Sequence, residues 1–365
     1  MNDLLYKIGI TLIPGVGCVT AKQLIAYCGG AEGVFRERKS ALKKIPGVGP
    51  KLVNTIINHD VFERAEQEIE FINKNNIKVS YYLDKDYPNR LKHCNDSPIL
   101  LFHKGNTFDN HEHVLAVVGT RNATEYGKSI CKEIIKDLAP YNPAIISGLA
   151  YGIDTQAHKS ALDNNLTTYA ILGHGLDRIY PELNNRLAEK ITNSGALVTE
   201  FLSETIPDRE NFPKRNRIIA GMSDAVLVIE AGKRGGAIIT AELAFSYSRD
   251  VFAIPGKTND MFSQGCNAMI KRNVAALVES AADIVKALNW TVQKEKKTIQ
   301  KELFVQLNDQ EKQVFDYINN NENAGIDNIM ADISMPLSVL SRLLLELELK
   351  GIVKCMPGKI YKINN

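Results

Sequence analysis

The sequence predicts an α/β protein: a parallel sheet covered by helices, with an all-α segment before it and three helices plus a β-ribbon after it. Three observations carry that prediction. Short apolar strands alternate with helical periodicity between residues 113 and 288. A Pro-Gly-Val-Gly motif occurs twice within the first 79 residues. Helical periodicity returns after residue 308 and ends in two alternating strands.

The alternating region is the longest. Its strands are read at Val114–Gly119, Ala144–Ser147, Thr168–Leu172, Ala196–Thr199, Ala225–Glu230 and Val251–Ile254. Helices are read between them at Gly127–Leu138, Asp154–Leu162, Pro181–Thr192, Lys214–Met222 and Ala237–Ser246. The strands are continuously apolar, as burial on both faces requires. Strand–helix alternation at this spacing implies βαβ units with right-handed crossovers.

In the N-terminal segment, Ile13-Pro-Gly-Val-Gly17 recurs as Ile45-Pro-Gly-Val-Gly49. Helices are read after each copy, at Cys18–Tyr27 and Pro50–Asn58, and again at Glu63–Asn73. This is the outline of a tandem helix–hairpin–helix domain over residues 1–79. Glycines at such hairpins let backbone N–H groups approach a phosphate. Gly15, Gly17, Gly47 and Gly49, with Lys22 and Lys51 in the following helices, form a candidate secondary DNA-binding surface. Contacts to phosphate carry no sequence preference. A helical hairpin without a ligand is the competing reading.

Residues 80–110 read as a connecting segment with a short strand at Ile99–Phe102, and the main domain is taken as 80–288. Residues 289–303 are polar and charged, as expected of a linker. In 304–365, helices are read at Gln310–Asn319, Gly325–Asp332 and Pro336–Lys350, then a hairpin around Pro357-Gly358. That order outlines a winged helix. Residues 303–365 hold six bases and eight acids, fewer cations than a groove-reading helix usually carries. Protein contact and DNA contact are both open for it.

Composition excludes several classes. Lys and Arg number 44 against 42 Asp and Glu, a net charge of +2, so there is no general basic coat. The six cysteines are scattered without a C-x-x-C pair; they read as free thiols rather than a disulfide frame or a zinc site. No apolar run approaches the roughly 18 residues of a membrane span, and the N-terminus lacks a signal-peptide profile. A cytoplasmic protein without membrane contact is expected.

In a parallel sheet, ligands bind beyond the carboxyl ends of the strands, often at helix N-termini. Here those ends collect small residues and cations: Gly119-Thr120-Arg121, Ser147-Gly148-Leu149, Gly173-His-Gly175, a loop ending Asn211–Arg217, and Ala231-Gly-Lys233-Arg-Gly-Gly236. The stretch 209–217 holds four bases and one acid. Such an edge suits a polyanion. Arg121, Lys214 and Arg215 can neutralise phosphates, Ser147 and the glycines can donate hydrogen bonds, and Phe212 can stack on a base. Gly119, Thr120, Leu149, Asn216, Arg217 and Lys233 complete the candidate DNA-binding set. The competing reading pairs Arg215 and Arg217 with acids such as Glu200 or Glu204, which would merely tie the loop down.

Other motifs fail. Gly127-Lys-Ser129 imitates the end of a phosphate-binding loop, but position 122 is Asn122, not glycine. There is no G-x-G-x-x-G after the first strand and no G-x-S-x-G. His111-Glu-His113 reads as a solvated turn, and His158 as a helix-stabilising partner of Asp154. No catalytic residue, metal or cofactor is expected.

Five ordered motifs, Val117-Val-Gly-Thr-Arg121, Ser147–Asp154 with His158, Leu172–Asp177 with Tyr180-Pro181, Phe212–Gly221, and Phe252–Gly256 with Gly265-Cys-Asn267, resemble the DprA/Smf family of DNA-processing proteins. The resemblance covers about residues 80–288, and the flanking modules suit some members. It implies an extended Rossmann-like domain that binds single-stranded DNA and forms a homodimer. It further implies loading of the RecA recombinase during natural transformation, and no catalysis. Residue by residue, it places phosphate contacts at Thr120, Arg121, Ser147, Gly148, Lys214, Arg215 and Arg217. Thr120 stands where the family usually has serine, and Lys233-Arg-Gly-Gly-Ala237 where many members read Ser-Gly-Ser. Two other readings compete. One is a lysine-decarboxylase-like phosphoribohydrolase, with Glu242 as its carboxylate. The other is an adaptor for RecA without DNA affinity of its own.

Overall fold

The computed structural model describes residues 3–106, 108, 110–292, 307–321, 324–350, 352–356 and 359–363. The chain divides into two compact units, Met1–Gln293 and Lys294–Asn365.

The larger unit opens with six helices: α1 (Asp3–Leu12), α2 (Cys18–Cys28), α3 (Ala31–Arg36), α4 (Lys39–Leu42), α5 (Pro50–Ile57) and α6 (Val61–Lys74). The two glycine motifs form the tight turns before α2 and α5. Gly15 and Gly47 adopt φ of +85° and +76°, a left-handed region that only glycine enters without strain. The two hairpins meet reciprocally: Gly15 lies against Leu52 of α5, and Gly47 against Gln23 of α2.

The sheet follows. Its strands are β1 (Lys78–Tyr81), β2 (Leu100–Gly105), β3 (Val114–Val118), β4 (Ala144–Ser147), β5 (Thr168–Ile171), β6 (Ala196–Thr199), β7 (Ala225–Val228), β8 (Asp250–Ala253) and β9 (Ala276–Leu277). Their spatial order is β1-β2-β6-β5-β4-β3-β7-β8-β9. From β3 the chain winds outward to β6, then returns to β7 beside β3 and winds the other way, so the topological switch falls between β3 and β7. All pairs from β6 to β9 are parallel. β1 and β2 are antiparallel additions at one edge. The strand read at Ile99–Phe102 is β2; an antiparallel pair needs no crossover helix, so β1 escaped a reading built on βαβ spacing.

The connecting helices are α7 (Asn89–Lys92), α8 (Glu125–Leu138), α9 (Ile153–Asp163), α10 (Asn185–Ser194), α11 (Asn211–Met222), α12 (Gly236–Ser246), α13 (Gln264–Lys271) and α14 (Ala281–Leu288). Both sheet faces are covered. Val114, Ala116 and Val118 of β3 join one core cluster, while Leu115 and Val117 join another on the opposite face. The N-terminal helices share a third cluster with Ile77, Tyr81, Ile99, Leu100 and Phe102, so apolar packing runs across residue 79.

Two histidine expectations are corrected. His113 is buried, not solvated; its ring stacks on Trp290 at 4.5 Å. Trp290 is itself buried, although it lies in the stretch read as a linker. His158 is fully buried and bonds Thr168 Oγ1 through Nδ1 at 2.7 Å, rather than pairing with Asp154. The remainder of the expected linker, 293–303, and the Pro357-Gly358 turn lie outside the described residues.

The smaller unit contains α15 (Asp309–Asn320), β10 (Ala324–Gly325), α16 (Ile326–Ile333), α17 (Leu337–Leu349), β11 (Val353–Met356) and β12 (Ile360–Ile363). A capping box of Asn308 and Glu311 starts α15. Leu340, Leu343, Leu344 and Leu347 of α17 fill the core. The open face of α17 carries Leu345 and Leu349, which are exposed. Among the described residues of the chain, no single helix is long and apolar enough to cross a membrane.

Candidate nucleic-acid interface

A cavity of about 320 Å³ opens at the carboxyl edge of the sheet. It sits at the switch point, between the end of β3 (Val118, Gly119) and the residues after β7 (Ala231, Gly232). Six sequence-predicted residues meet there or beside it: Gly119, Thr120, Arg121, Phe212, Arg215 and Asn216. Gly148 lines a smaller notch alongside.

The loop after β3 is held by a buried acid. Glu230 accepts from Thr124 N–H at 2.9 Å and from the Thr124 hydroxyl, and its backbone carbonyl accepts from Thr120 N–H at 2.8 Å. Arg121 projects from this loop, exposed, with its guanidinium 5.3 Å from the centre of the Phe212 ring.

The loop after β4 is strained and tightly packed. Leu149 is buried with φ +61°, a conformation that costs roughly 1–3 kcal/mol outside glycine. The Ser147 hydroxyl donates inward to Val117 O at 2.6 Å. Both residues build the wall rather than face the cavity. Asp154, in the first turn of α9, is buried, lines the cavity and accepts from Ala150 N–H at 3.3 Å. Burial raises its pKa, against the opposing pull of Arg215.

Phe212, Lys214, Arg215 and Arg217 lie on α11, not in a loop. The helix starts at Asn211, because a proline at its third position lacks only an N–H that would have no helical partner. Arg215 is buried beneath the site, donating to Gly148 O at 2.6 Å and to Ile171 O. Burial lowers its pKa to about 10, so it stays protonated near neutrality. Asn216 Nδ2 donates to Gly236 O at 3.2 Å. Arg217, two residues on, points to the other side of the helix. There it pairs with Glu200 and donates to Asp96 O. This is the tying arrangement weighed against phosphate contact in the sequence. Lys214 and Lys233 are exposed.

The N-terminus of α12 (Gly235, Gly236) faces the cavity, adding unpaired N–H donors and a positive dipole end. Arg234, Asp154 and Thr240 also line it and were missed as site residues. Arg234 had a signal, since it stands inside the glycine loop next to Lys233. Asp154 and Thr240 are helix positions whose inward direction only the packing reveals.

None of the hairpin residues lines this cavity. Gly17 and Gly49 cap α2 and α5 with ordinary φ and nothing within 4 Å of a Cβ. Lys51 is exposed. Lys22 is committed elsewhere: its ammonium donates to Ser97 Oγ at 2.6 Å, Asn95 O at 3.1 Å and Cys94 O at 3.4 Å.

A protein with this sheet and this edge belongs to the Rossmann-like α/β class that presents a ligand site at its switch point. The chain belongs to the DNA recombination-mediator protein A family, whose model matches residues 78–289, and a DprA winged helix domain model matches 305–359. It is 35% identical over 295 residues to Protein Smf of Synechocystis, covering 79% of this chain and 73% of the relative. It is 43% identical over 203 residues to the DNA processing protein DprA of Streptococcus pneumoniae, covering 56% and 71%. The crystal structure of DprA from Streptococcus pneumoniae superposes with a TM-score of 0.64 at 33% identity, over 78% of this chain and 98% of that one. DprA of Helicobacter pylori, described for its single-stranded DNA binding mode, gives 0.53 at 26% identity, over 58% and 95%.

Proposed function

We propose that this chain is a single-stranded DNA-binding recombination mediator. It protects incoming DNA during natural transformation and loads RecA onto it. It acts as a homodimer through the Rossmann-like domain and carries out no chemistry. The observation that carries this reading is the switch-point cavity, where the exposed Arg121, the buried Arg215, Arg234 and the α12 N-terminus converge beside the Phe212 ring. Cations and oriented N–H groups suit phosphates, and the ring suits a base. The Helicobacter pylori relative, described for its single-stranded DNA binding mode, supports the same assignment.

The phosphoribohydrolase reading needs Glu242 at the site. Glu242 does not line the cavity; it is half-exposed on α12, 3.9 Å from Arg272. The RecA-adaptor reading predicts no intrinsic DNA affinity, so one measurement separates it. Binding of a fluorescent oligo-dT is followed across a salt titration. Affinity is expected to fall steeply with salt. Arg121→Ala combined with Lys214→Ala is expected to weaken binding at least roughly ten-fold and to flatten the slope by about one to two. A flat salt dependence, or full affinity in the double variant, overturns the proposal.

A further inference from the structure

We infer that the groove beside the cavity is a base-stacking channel, with Tyr180 and Tyr151 as its stacking faces and Phe212 as the partition between neighbouring nucleotides. This rests on the single-stranded DNA reading and adds the residues that take the bases.

The smaller notch is lined by Arg121, Gly148, Tyr151, Tyr180, Phe212 and Arg215, among others. It shares Arg121, Ala150, Phe212 and Arg215 with the cavity. The two are therefore neighbouring compartments of one groove, with the Phe212 ring at their junction. Tyr151 and Tyr180 are 43% and 46% exposed. Two half-exposed tyrosines and a phenylalanine converge on one concave surface, so the exposure is concentrated rather than scattered. The Tyr180 and Phe212 ring centres are 6.2 Å apart with planes tilted by 37°. The rings are not stacked face to face on each other, which leaves ring face for another π-system. Arg121 stands over Phe212, the combination of cation and aromatic that suits a phosphate with its base.

The polar side chains around the groove are largely engaged by the protein. Asn216 spans Arg215 Nε and Gly236 O. Thr240 donates to Gly236 O and Ser147 to Val117 O. Base edges thus meet few open partners, while base faces meet rings. Stacking without edge reading tolerates any sequence.

The test uses the full chain and two fluorescent strands of equal length, oligo-dT and an abasic analogue. Tyr180→Ala and Tyr151→Ala are each expected to weaken oligo-dT binding roughly ten-fold. Tyr→Phe at either position should retain affinity within about two-fold, because the ring is kept. The salt slope should not change, since no phosphate contact is lost. The abasic strand should bind wild type and Tyr180→Ala alike. The Phe variants control for folding. If both Ala variants bind oligo-dT as wild type does while Arg121→Ala weakens binding, the stacking channel is wrong and the DNA reading stands. If wild type has no affinity for either strand, both fall together.

Discussion

At Gly148 a Cβ would overlap the guanidinium of Arg215, and Arg215 is held by the carbonyls of Gly148 and Ile171. Gly148→Ala should therefore displace a buried cation. It is expected to lower the melting temperature and weaken single-strand binding more than ten-fold, by calorimetry and anisotropy. Arg217 and Lys214 separate stability from binding on one helix. Arg217→Ala leaves Glu200, whose side chain is only 12% exposed, without its cation, and is expected to cost about 3 kcal/mol in urea unfolding. Exposed Lys214→Ala should change stability by less than about 0.5 kcal/mol while still lowering affinity. Buried histidines set an acid limit. Burial lowers the pKa of His103 to about 4 and of His158 to about 3. The unfolded chain takes up these protons near pH 6.5 and the folded chain does not, so stability is lost as pH falls below 6.5. At pH 5 each should cost on the order of 2 kcal/mol, measurable as a falling urea midpoint between pH 7 and 5. At this scale the sequence placed Arg121 and Phe212 at the carboxyl edge of the sheet, and both line the groove there. It gave Ser147 and Leu149 an outward role that packing reverses, because alternation along a buried strand does not tell which atoms its final turn exposes.

Six strands of the parallel sheet, β3 to β8, were legible to within two residues, since short continuous apolar runs have few other homes; the two-residue β9 was not read, because it is too short to carry a pattern. The start of α11 was not, because Pro213 looks like a breaker until it is placed in a first turn. The antiparallel pair β1 and β2 was only half seen, as β1 interrupts the segment's polar, tyrosine-rich character with just four residues. The hairpin glycines divide into two kinds. Gly15 and Gly47 have positive φ, so Ala at either should destabilise the helical segment by roughly 1 kcal/mol or more. Gly17 and Gly49 have neither positive φ nor a crowded Cβ direction. Ala at these two is expected to leave the melting curve nearly unchanged, so any fall in their duplex or single-strand affinity would report backbone approach to phosphate. The winged unit's α17 presents Leu345 and Leu349 to solvent beside Glu348, and only Arg342 among its cations lies within the helix, 3.8 Å from Glu346.

The chain's two compact units make a whole-molecule prediction. Removing residues 294–365 should leave the melting temperature of the larger unit within about 2 °C, since that unit has large core clusters of its own; a large drop would show the units to be thermodynamically coupled. A cut at residue 79 is a different matter, because it would bare Tyr81, Leu100 and Phe102.

The N-terminal helices also hold α11 in place. Lys22 of α2 grips the loop at residues 94–97, Asp96 of that loop receives Arg217, and Arg217 clasps Glu200. On the same helix as Arg217 ride Phe212 and Lys214. The N-terminal helices thus act as an anchor plate for the rod that carries the side chains proposed to meet DNA, and loosening the plate should let the rod swing. Weaker DNA affinity after removal of the hairpins would then measure mechanical support, even if no nucleotide ever touches them.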